Sequence, residues 1–293
     1  MSVEKSLLQS LIDCVEKNTS AHVCIHDVSG ILQNDILQIK KSNQIHFTPL
    51  CNAAKTTDKG LQLCLACKGL SVKKAFDGGH AYSGICPLGL TEIVVPLIIS
   101  GEPMCIIYIG NLNCDSDEIK KRISRVHKLT KADRSMLLQS IPPEMPLSEI
   151  EHFIRAADLI KNYICLLYKS YGLTTVHSST HWVVTALNSY LQKYYKNTLT
   201  LRDLSKIYYL NENYLGRLYK KQTGKSFSNY LNELRLKKAC VLLKKTDNTV
   251  ISIAFETGFN NVTYFNRIFK RYLGVTPTEY RGQFINRRID DKI

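Results

Sequence analysis

Four cysteines have spacings that invite chemistry: Cys51, Cys64, Cys67 and Cys86 stand as Cys-x12-Cys-x2-Cys-x18-Cys. Four sulfurs with a Cys-x-x-Cys step suit tetrahedral zinc, which takes thiolate ligands. The same residues also read as buried thiols. Leu61, Leu63, Leu65 and Leu70 surround Cys64 and Cys67 on a stretch whose periodicity predicts a helix, and free cysteine is among the most buried residue types. A thiol redox switch is a third reading. The pocket reading places Cys64, Cys67, His80, Tyr82 and Cys86 around a small organic effector; the zinc reading takes Cys51, Cys64, Cys67 and Cys86. Catalytic motifs are missing: there is no P-loop, no G-x-G-x-x-G, no H-E-x-x-H and no G-x-S-x-G, and the eight histidines are scattered. The expectation is a protein that is not an enzyme.

A second set of residues could read DNA. In Val250 to Arg281, Ile251, Ile253, Ala254 and Thr257 put an apolar face on a short helix, and Gly258 supplies a turn. Asn260 or Asn261 can cap the next helix. That helix is expected to bury Tyr264, Phe265, Ile268 and Phe269 and to leave Asn261, Val262, Asn266, Arg267, Lys270 and Arg271 on its other faces. Two short helices joined by a glycine turn, the second basic and polar outside, make a helix-turn-helix. A similar pair is expected at Leu201 to Tyr208 and Asn211 to Gln222, with Tyr214, Leu215, Leu218 and Tyr219 inward and Asn213, Gly216, Arg217 and Lys220 outside. Phe227, Tyr230, Leu231, Leu234, Ala239 and Leu242 describe a helix between the two.

The order Ile253-Ala254, Gly258-Phe259, Tyr264-Phe265, Arg267-x-Phe269-Lys270, Gly274-x-Thr276-Pro277 and Tyr280-Arg281 closely resembles the second helix-turn-helix of the AraC/XylS family of transcription regulators. The resemblance runs from about residue 199 to 281. It implies an all-α domain of two helix-turn-helices on a linker helix, with Arg235-Leu236 as the family's Arg-Leu pair. It also implies that Asn213 and Arg217 reach base edges from the first recognition helix, and Asn261, Val262, Thr263, Asn266 and Arg267 from the second. The residue types agree: Arg grips guanine with two hydrogen bonds, Asn pairs similarly with adenine, and a valine methyl meets thymine. Lys220, Lys221, Lys270 and Arg271 suit phosphate. Where many relatives carry a turn glycine in the first motif, this chain has Tyr209, which puts the docking of that head in doubt.

Charge supports the division. Residues 1–170 carry 19 Lys+Arg against 17 Asp+Glu, and residues 171–293 carry 20 against 8, so nearly all of the net +14 belongs to the C-terminal part. A polyanion, double-stranded DNA, is its natural partner. The first 30 residues do not read as a signal peptide and the apolar runs are too short to span a bilayer, so a cytoplasmic location is expected, with the ten cysteines reduced.

At 293 residues two cores are expected. In the first half the pattern predicts a helix over 3–17, a strand over 21–26, a mostly irregular stretch to about 59 and a helix over 61–76. Strands over 81–86, 91–100 and 104–111 follow, the last two forming a hairpin about Gly101, and then helices over 117–128 and 131–140. This order describes a PAS-like α+β domain. Phe47-Thr48-Pro49-Leu50-Cys51, Cys64-x-x-Cys67, Tyr82-x-x-x-Cys86-x-x-Gly89-Leu90, Pro96 and Gly110 resemble the PocR ligand-sensing domain of regulators of small-diol metabolism. That resemblance implies a small organic effector, with simple alcohols or diols as the favoured class.

Ile150, Phe153, Ala157, Ile160, Ile164, Leu167 and Tyr171 then repeat in a 3,4 spacing that predicts one long helix. Its seam could pack on its own domain or on a second copy. Polar, aperiodic Gly172 to Thr180 reads as a linker. The expected organisation is a sensor over 1–145, a connecting helix and linker over 146–180, and a DNA-binding domain over 181–285. The expected function is effector-responsive transcription regulation, by family habit activation, working as a homodimer with RNA polymerase as the partner the resemblance implies. A metal- or redox-sensing regulator using the N-terminal cysteines is the alternative. A self-alkylating repair regulator with a zinc-held cysteine is a remoter one, because its paired cysteine clusters are not matched here.

Overall fold

The computed structural model describes residues 6–44, 46, 48–173, 181–208 and 210–290, and for residues 181, 182 and 284–290 it describes the backbone only. The elements run α1 (Leu7–Glu16), β1 (His22–Asp27), α2 (Pro49–Ala54), α3 (Asp58–Gly78), β2 (Tyr82–Ile85), β3 (Thr91–Ile99), β4 (Glu102–Leu112), α4 (Ser116–Thr130), α5 (Arg134–Gln139) and α6 (Ile150–Ser170). Then come α7 (His181–Tyr194), α8 (Leu201–Ile207), α9 (Glu212–Thr223), α10 (Phe227–Lys245), α11 (Val250–Glu256), α12 (Val262–Leu273) and α13 (Pro277–Asp290). The fold is α+β. Two compact units divide the chain: Met1–Val183 with Arg202–Asn211, and Val184–Leu201 with Glu212–Ile293. Tyr209 and most of the expected linker, residues 174–180, lie outside the described residues.

The first unit is built on a four-stranded antiparallel sheet in the order β1-β4-β3-β2. Ser100 and Gly101, with φ of 53° and 83°, turn β3 into β4 as a tight hairpin requires. Alternation sends Val23, Ile25, Ile93, Val95, Leu97, Ile107 and Ile109 to one face, where Leu8 and Ile12 of α1 and Phe153, Ala157, Ile160 and Ile164 of α6 complete the core. The α6 seam therefore packs on its own domain. The other face carries Cys24, Val94, Ile106 and Tyr108 beneath Val72, Ala75 and Phe76 of α3. A smaller cluster joins α2, α4 and α5 through Leu50, Ala53, Ile119, Ile123 and Leu137. The stretch expected to be irregular up to residue 59 contains three single turns of 3-10 helix (Ile31–Gln33, Asp35–Leu37, Lys41–Gln44) and α2, which starts with Thr48 accepting from the Cys51 amide and Pro49 in the first turn.

The second unit is helical. Phe227, Leu231, Leu234, Leu236, Ala239 and Leu243 of α10 are buried on more than one side, as befits a helix with neighbours around it. Ile253, Ala254, Phe259, Phe265, Ile268 and Phe269 form the core about α11 and α12. Three expectations of burial fail: Tyr214 is 41%, Tyr264 37% and Ile251 57% exposed. Tyr264 sits at the edge of its helix face, and its hydroxyl accepts from Nδ2 of the buried Asn232 at 2.9 Å. Arg235 donates from Nε to Tyr195 O at 2.7 Å and from its terminal nitrogen to Asn197 O at 2.9 Å, tying α10 to the loop after α7. Such charge-assisted bonds contribute about 1.5–3 kcal/mol each.

Gly258 meets that same loop. Its φ is +91°, and a Cβ there would come within 2.7 Å of Lys196 O and 2.8 Å of Lys196 Cα. Neither contact can yield, because both are backbone. We expect Gly258→Ala to destabilise the second unit by roughly 2–4 kcal/mol, from the strained φ and the overlap together. Hydrogen exchange of the α10 and α12 amides in the full chain should show it; unchanged protection would refute the assignment.

Candidate functional site

The recognition residues can be placed one by one. On α9, Asn213, Arg217, Lys220 and Lys221 are exposed, while Leu215, Leu218 and Tyr219 hold the helix from behind, with Tyr219 Oη donating to Asn188 Oδ1 of α7 at 2.6 Å. On α12, Thr263, Asn266, Arg267, Lys270 and Arg271 are exposed. Val262 is half-buried against the core. Asn261 is the helix N-cap, its Oδ1 accepting from the Tyr264 amide at 2.8 Å, which leaves its amide nitrogen as the group that could face a base. Arg267 lies over the Tyr264 ring at 5.4 Å, within cation–π range. Among the described residues neither Arg217 nor Arg267 forms an ion pair. Lysines and arginines with outward donors, on helices fixed by apolar inner faces, make a surface fit for phosphate and base edges.

The second site is a polar recess on the α3 face of the sheet. Glu92 is the one charged residue of β3 and alternates with Val94 on this face. It lies at an irregularity: the β3–β4 register slips by one residue between Thr91 and Ile93, opposite Gly110 and Asn111, and Asn111 has φ of 64°. A Cβ on Gly110 would meet Glu92 Oε1 at 3.1 Å, so glycine leaves the carboxylate its room. Bulges of this kind re-aim side chains beside sites. From Glu92 the chain of contacts runs to His46 Nδ1 at 3.0 Å, and from His46 Nε2 to Lys68 Nζ at 3.0 Å. Lys68 Nζ is 3.2 Å from the centre of the Tyr108 ring. Ser71 Oγ donates to Tyr108 Oη at 3.3 Å, and Tyr82 Oη lies 3.0 Å from the same Ser71 oxygen. Lys55 Nζ donates to His46 O at 3.1 Å.

Electrostatics settle the protonation. Burial, then Lys68, pushes the His46 pKa down to about 4, so the ring is neutral near pH 7. A protonated lysine can only donate, so Nε2 accepts from it and Nδ1–H donates to Glu92. Burial lowers the Lys68 pKa. Burial alone would raise Glu92, but His46, followed by Lys68 and Lys55, more than offsets it and the carboxyl lies below its ordinary range. His46 and Glu92 each keep 18% of their side-chain surface exposed, and Lys68 is half-buried, even though desolvation is the leading cause of every shift. Groups hemmed in by protein and still open to solvent line a recess.

Of the residues expected at the pocket, Tyr82 is in this cluster, and Cys67 and Cys51 are near enough for Cys64 and Glu92 to act on both. Cys64 acts on Lys68 in the same way. Cys86 packs at the edge of the α2–α4–α5 cluster. His80 is exposed at the end of α3, donating from Nδ1 to Gly78 O at 2.7 Å, and is not part of the recess. Burial pushes the Cys67 thiol up to about 11 and raises Cys51 and Cys86, so these sulfurs are protonated thiols rather than thiolates. Among the described residues no three His, Cys, Asp or Glu side chains stand close enough together to hold a metal ion. His46, Lys55, Lys68, Ser71, Glu92 and Tyr108 were missed in the sequence. The signal was there for Glu92, a lone charge at an inward position of an otherwise apolar strand.

Comparison with known proteins bears on both sites. The model of the sensory domain found in PocR matches residues 2–170, and a helix-turn-helix domain model matches residues 204–283. The regulatory protein PocR of Salmonella typhimurium is 28% identical over 83% of this chain and 84% of its own length. The transcriptional activator RhaR of Mannheimia succiniciproducens is 36% identical over 71% of this chain and 74% of its own. Among solved structures, the C-terminal domain of AraT, a response regulator from Geobacillus stearothermophilus, is 32% identical over 34% of this chain and 84% of that one, with a TM-score of 0.34. No helix among the described residues is long and apolar enough to cross a membrane.

The two buried histidines make a pH prediction. His26 of β1 is pushed down to about 3, first by burial and then by Lys68, and His46 to about 4. Both bind a proton more readily when unfolded, at about 6.5, so their neutral burial is harmless above that value and costs stability as pH falls from 6.5 toward 4. Between pH 7 and 5 the first unit should lose on the order of 1–2 kcal/mol per histidine. Hydrogen exchange of the β1 and β4 amides, converted to opening free energies at each pH, checks this, and a flat profile would contradict it.

Proposed function

Because this chain belongs to the AraC-type transcription regulators that carry the sensory domain found in PocR, we propose that it activates transcription in response to a short alcohol or diol held in the recess around Lys68. The carrying observation is the unbroken line Glu92–His46–Lys68 beside the hydroxyls of Ser71, Tyr82 and Tyr108. A short diol needs a donor and an acceptor a few ångströms apart with apolar surface between them. Lys68 and Tyr108 supply the first, Glu92 and Ser71 the second, and the half-buried thiol of Cys67 the third.

Support for activation comes from the name of the relative RhaR, a transcriptional activator. Activation brings RNA polymerase in as a partner. The chain works as a homodimer in this reading, so that two pairs of recognition helices meet repeated half-sites. Ligand binding alters DNA affinity only in so far as the ligand prefers one arrangement of the protein over another.

Two measurements test the reading. Titration calorimetry of the full chain with ethanol, ethane-1,2-diol and glycerol should give saturable binding that Lys68→Met and Tyr108→Phe each weaken at least about tenfold, since each removes a hydrogen bond to a buried polar ligand. Binding that neither substitution alters would place the ligand elsewhere. On a duplex selected from a random library, Arg267→Ala should relax discrimination at one base pair by about 1–3 kcal/mol, while Lys270→Ala should weaken all sequences alike and reduce the salt slope by about 0.9. Equal loss on all sequences from Arg267→Ala would remove it from base readout.

A further inference from the structure

Residues 204–283 match a helix-turn-helix domain, yet Arg202–Asn211, which include most of α8, belong to the compact unit built on the sensor sheet. The contacts are specific. The Ile207 carbonyl, at the end of α8 where a helix leaves its last carbonyls without internal partners, lies 2.7 Å from His26 Nε2. A carbonyl only accepts, so Nε2 carries the proton, and burial keeps the ring neutral with Nδ1 bare. The Tyr208 ring stands 5.4 Å from the His26 ring, and Ser205, Ile207 and Tyr208 are all buried. On α3, the absent side chain of Gly69 makes the space: a Cβ there would come within 3.2 Å of Lys206 Cβ.

This seat is continuous with the recess. Gly69 follows Lys68 in the chain, His26 and Cys24 share one face of β1 with the recess, and Lys68 is the leading charge that acts on His26. From these observations we propose that the sensor holds α8 as an autoinhibitory latch, with His26 and Gly69 as its seat, and that filling the recess loosens it. A first reading head docked on DNA must carry α8 along with α9, so each residue that clamps α8 to the sensor opposes docking. A ligand displacing Lys68 shifts the turn of α3 on which Lys206 rests and the charge beside His26, and the clamp weakens. The release step rests on the recess being the effector site; the latch itself does not.

The test uses the full chain without ligand and a duplex selected from a random library. Gly69→Phe wedges the seat from α3 without touching a recess side chain, and Tyr208→Ala empties it from the other side. Each should raise DNA affinity at least about fivefold, the lower end of ordinary allosteric coupling. Each should also strip hydrogen-exchange protection from residues 202–208 while leaving the β1 and β4 amides protected, which shows that the sensor is still folded. The converse variant, Gly69→Cys with Lys206→Cys, brings two Cβ atoms near disulfide range. Oxidised, with the cross-link mapped by mass spectrometry, it should lose DNA affinity, and reduction should restore it. Parental DNA affinity in both wedge variants, or an oxidised cross-link that binds DNA as well as the reduced form, would overturn the latch. Gains in the wedge variants with no response of the parent to ethane-1,2-diol would uphold the latch and count against the ligand reading alone.

Discussion

A carboxylate and an ammonium hemmed in by protein impose the central constraint on the sensor. Glu92 and Lys68 each suffer from desolvation, and neither is tolerable there alone. A neutral imidazole between them, bonded on both nitrogens, lets the two charges satisfy each other across a distance a direct pair would not span. Much of the surrounding backbone geometry follows from that need. The register slip opposite Gly110 and Asn111 makes room for the carboxylate, and the length of α3 brings Lys68 and Ser71 over Tyr108. Such a cluster is expensive for a purely structural core, where apolar side chains of the same volume would serve as well or better. The cluster lies on the α3 side of the sheet, while the other side packs the apolar residues of α1 and α6.

The DNA-binding unit follows a different principle. Its recognition side chains are held by what lies behind them: aromatic and aliphatic residues of α12 pack into a core with Phe259, and α10 is pinned by Arg235 to the loop that also abuts Gly258. Rigid supports of this kind limit the motion of Asn266 and Arg267, as the base readout proposed for them requires, since bidentate hydrogen bonds lose their discrimination when the donor wanders. The first unit keeps a polar cluster beside an apolar core, and the second turns its polar side chains outward from an apolar one.

Most of the elements were readable in advance because each carries its own local signal. α12 announced itself through helical spacing and an Asn cap, the β3–β4 hairpin through Gly101, and α6 through its 3,4 repeat. Errors fell where a residue type has two fates. Tyr264 and Tyr214 have the bulk of core residues but a hydroxyl that prefers the surface, and both are partly exposed. The pocket was glimpsed through Tyr82 and Cys67, while His80, close to Tyr82 in sequence, turns away at the end of α3. His46 could not be found at all. It lies among short turns with no periodicity, and only the folded chain brings it between Glu92 and Lys68.

By itself, then, the sequence determined the α+β class, the two helix-turn-helices and most of the side chains that face outward on them, because helix period, caps and glycine turns are local and survive without knowledge of neighbours. Tertiary structure alone decided that the α6 seam packs against its own sheet, that Glu92, His46 and Lys68 form one line, and that α8 ends on His26. Those are contacts between residues tens to hundreds of positions apart, and no pattern within a single segment encodes which distant partner will satisfy a buried charge or an open carbonyl.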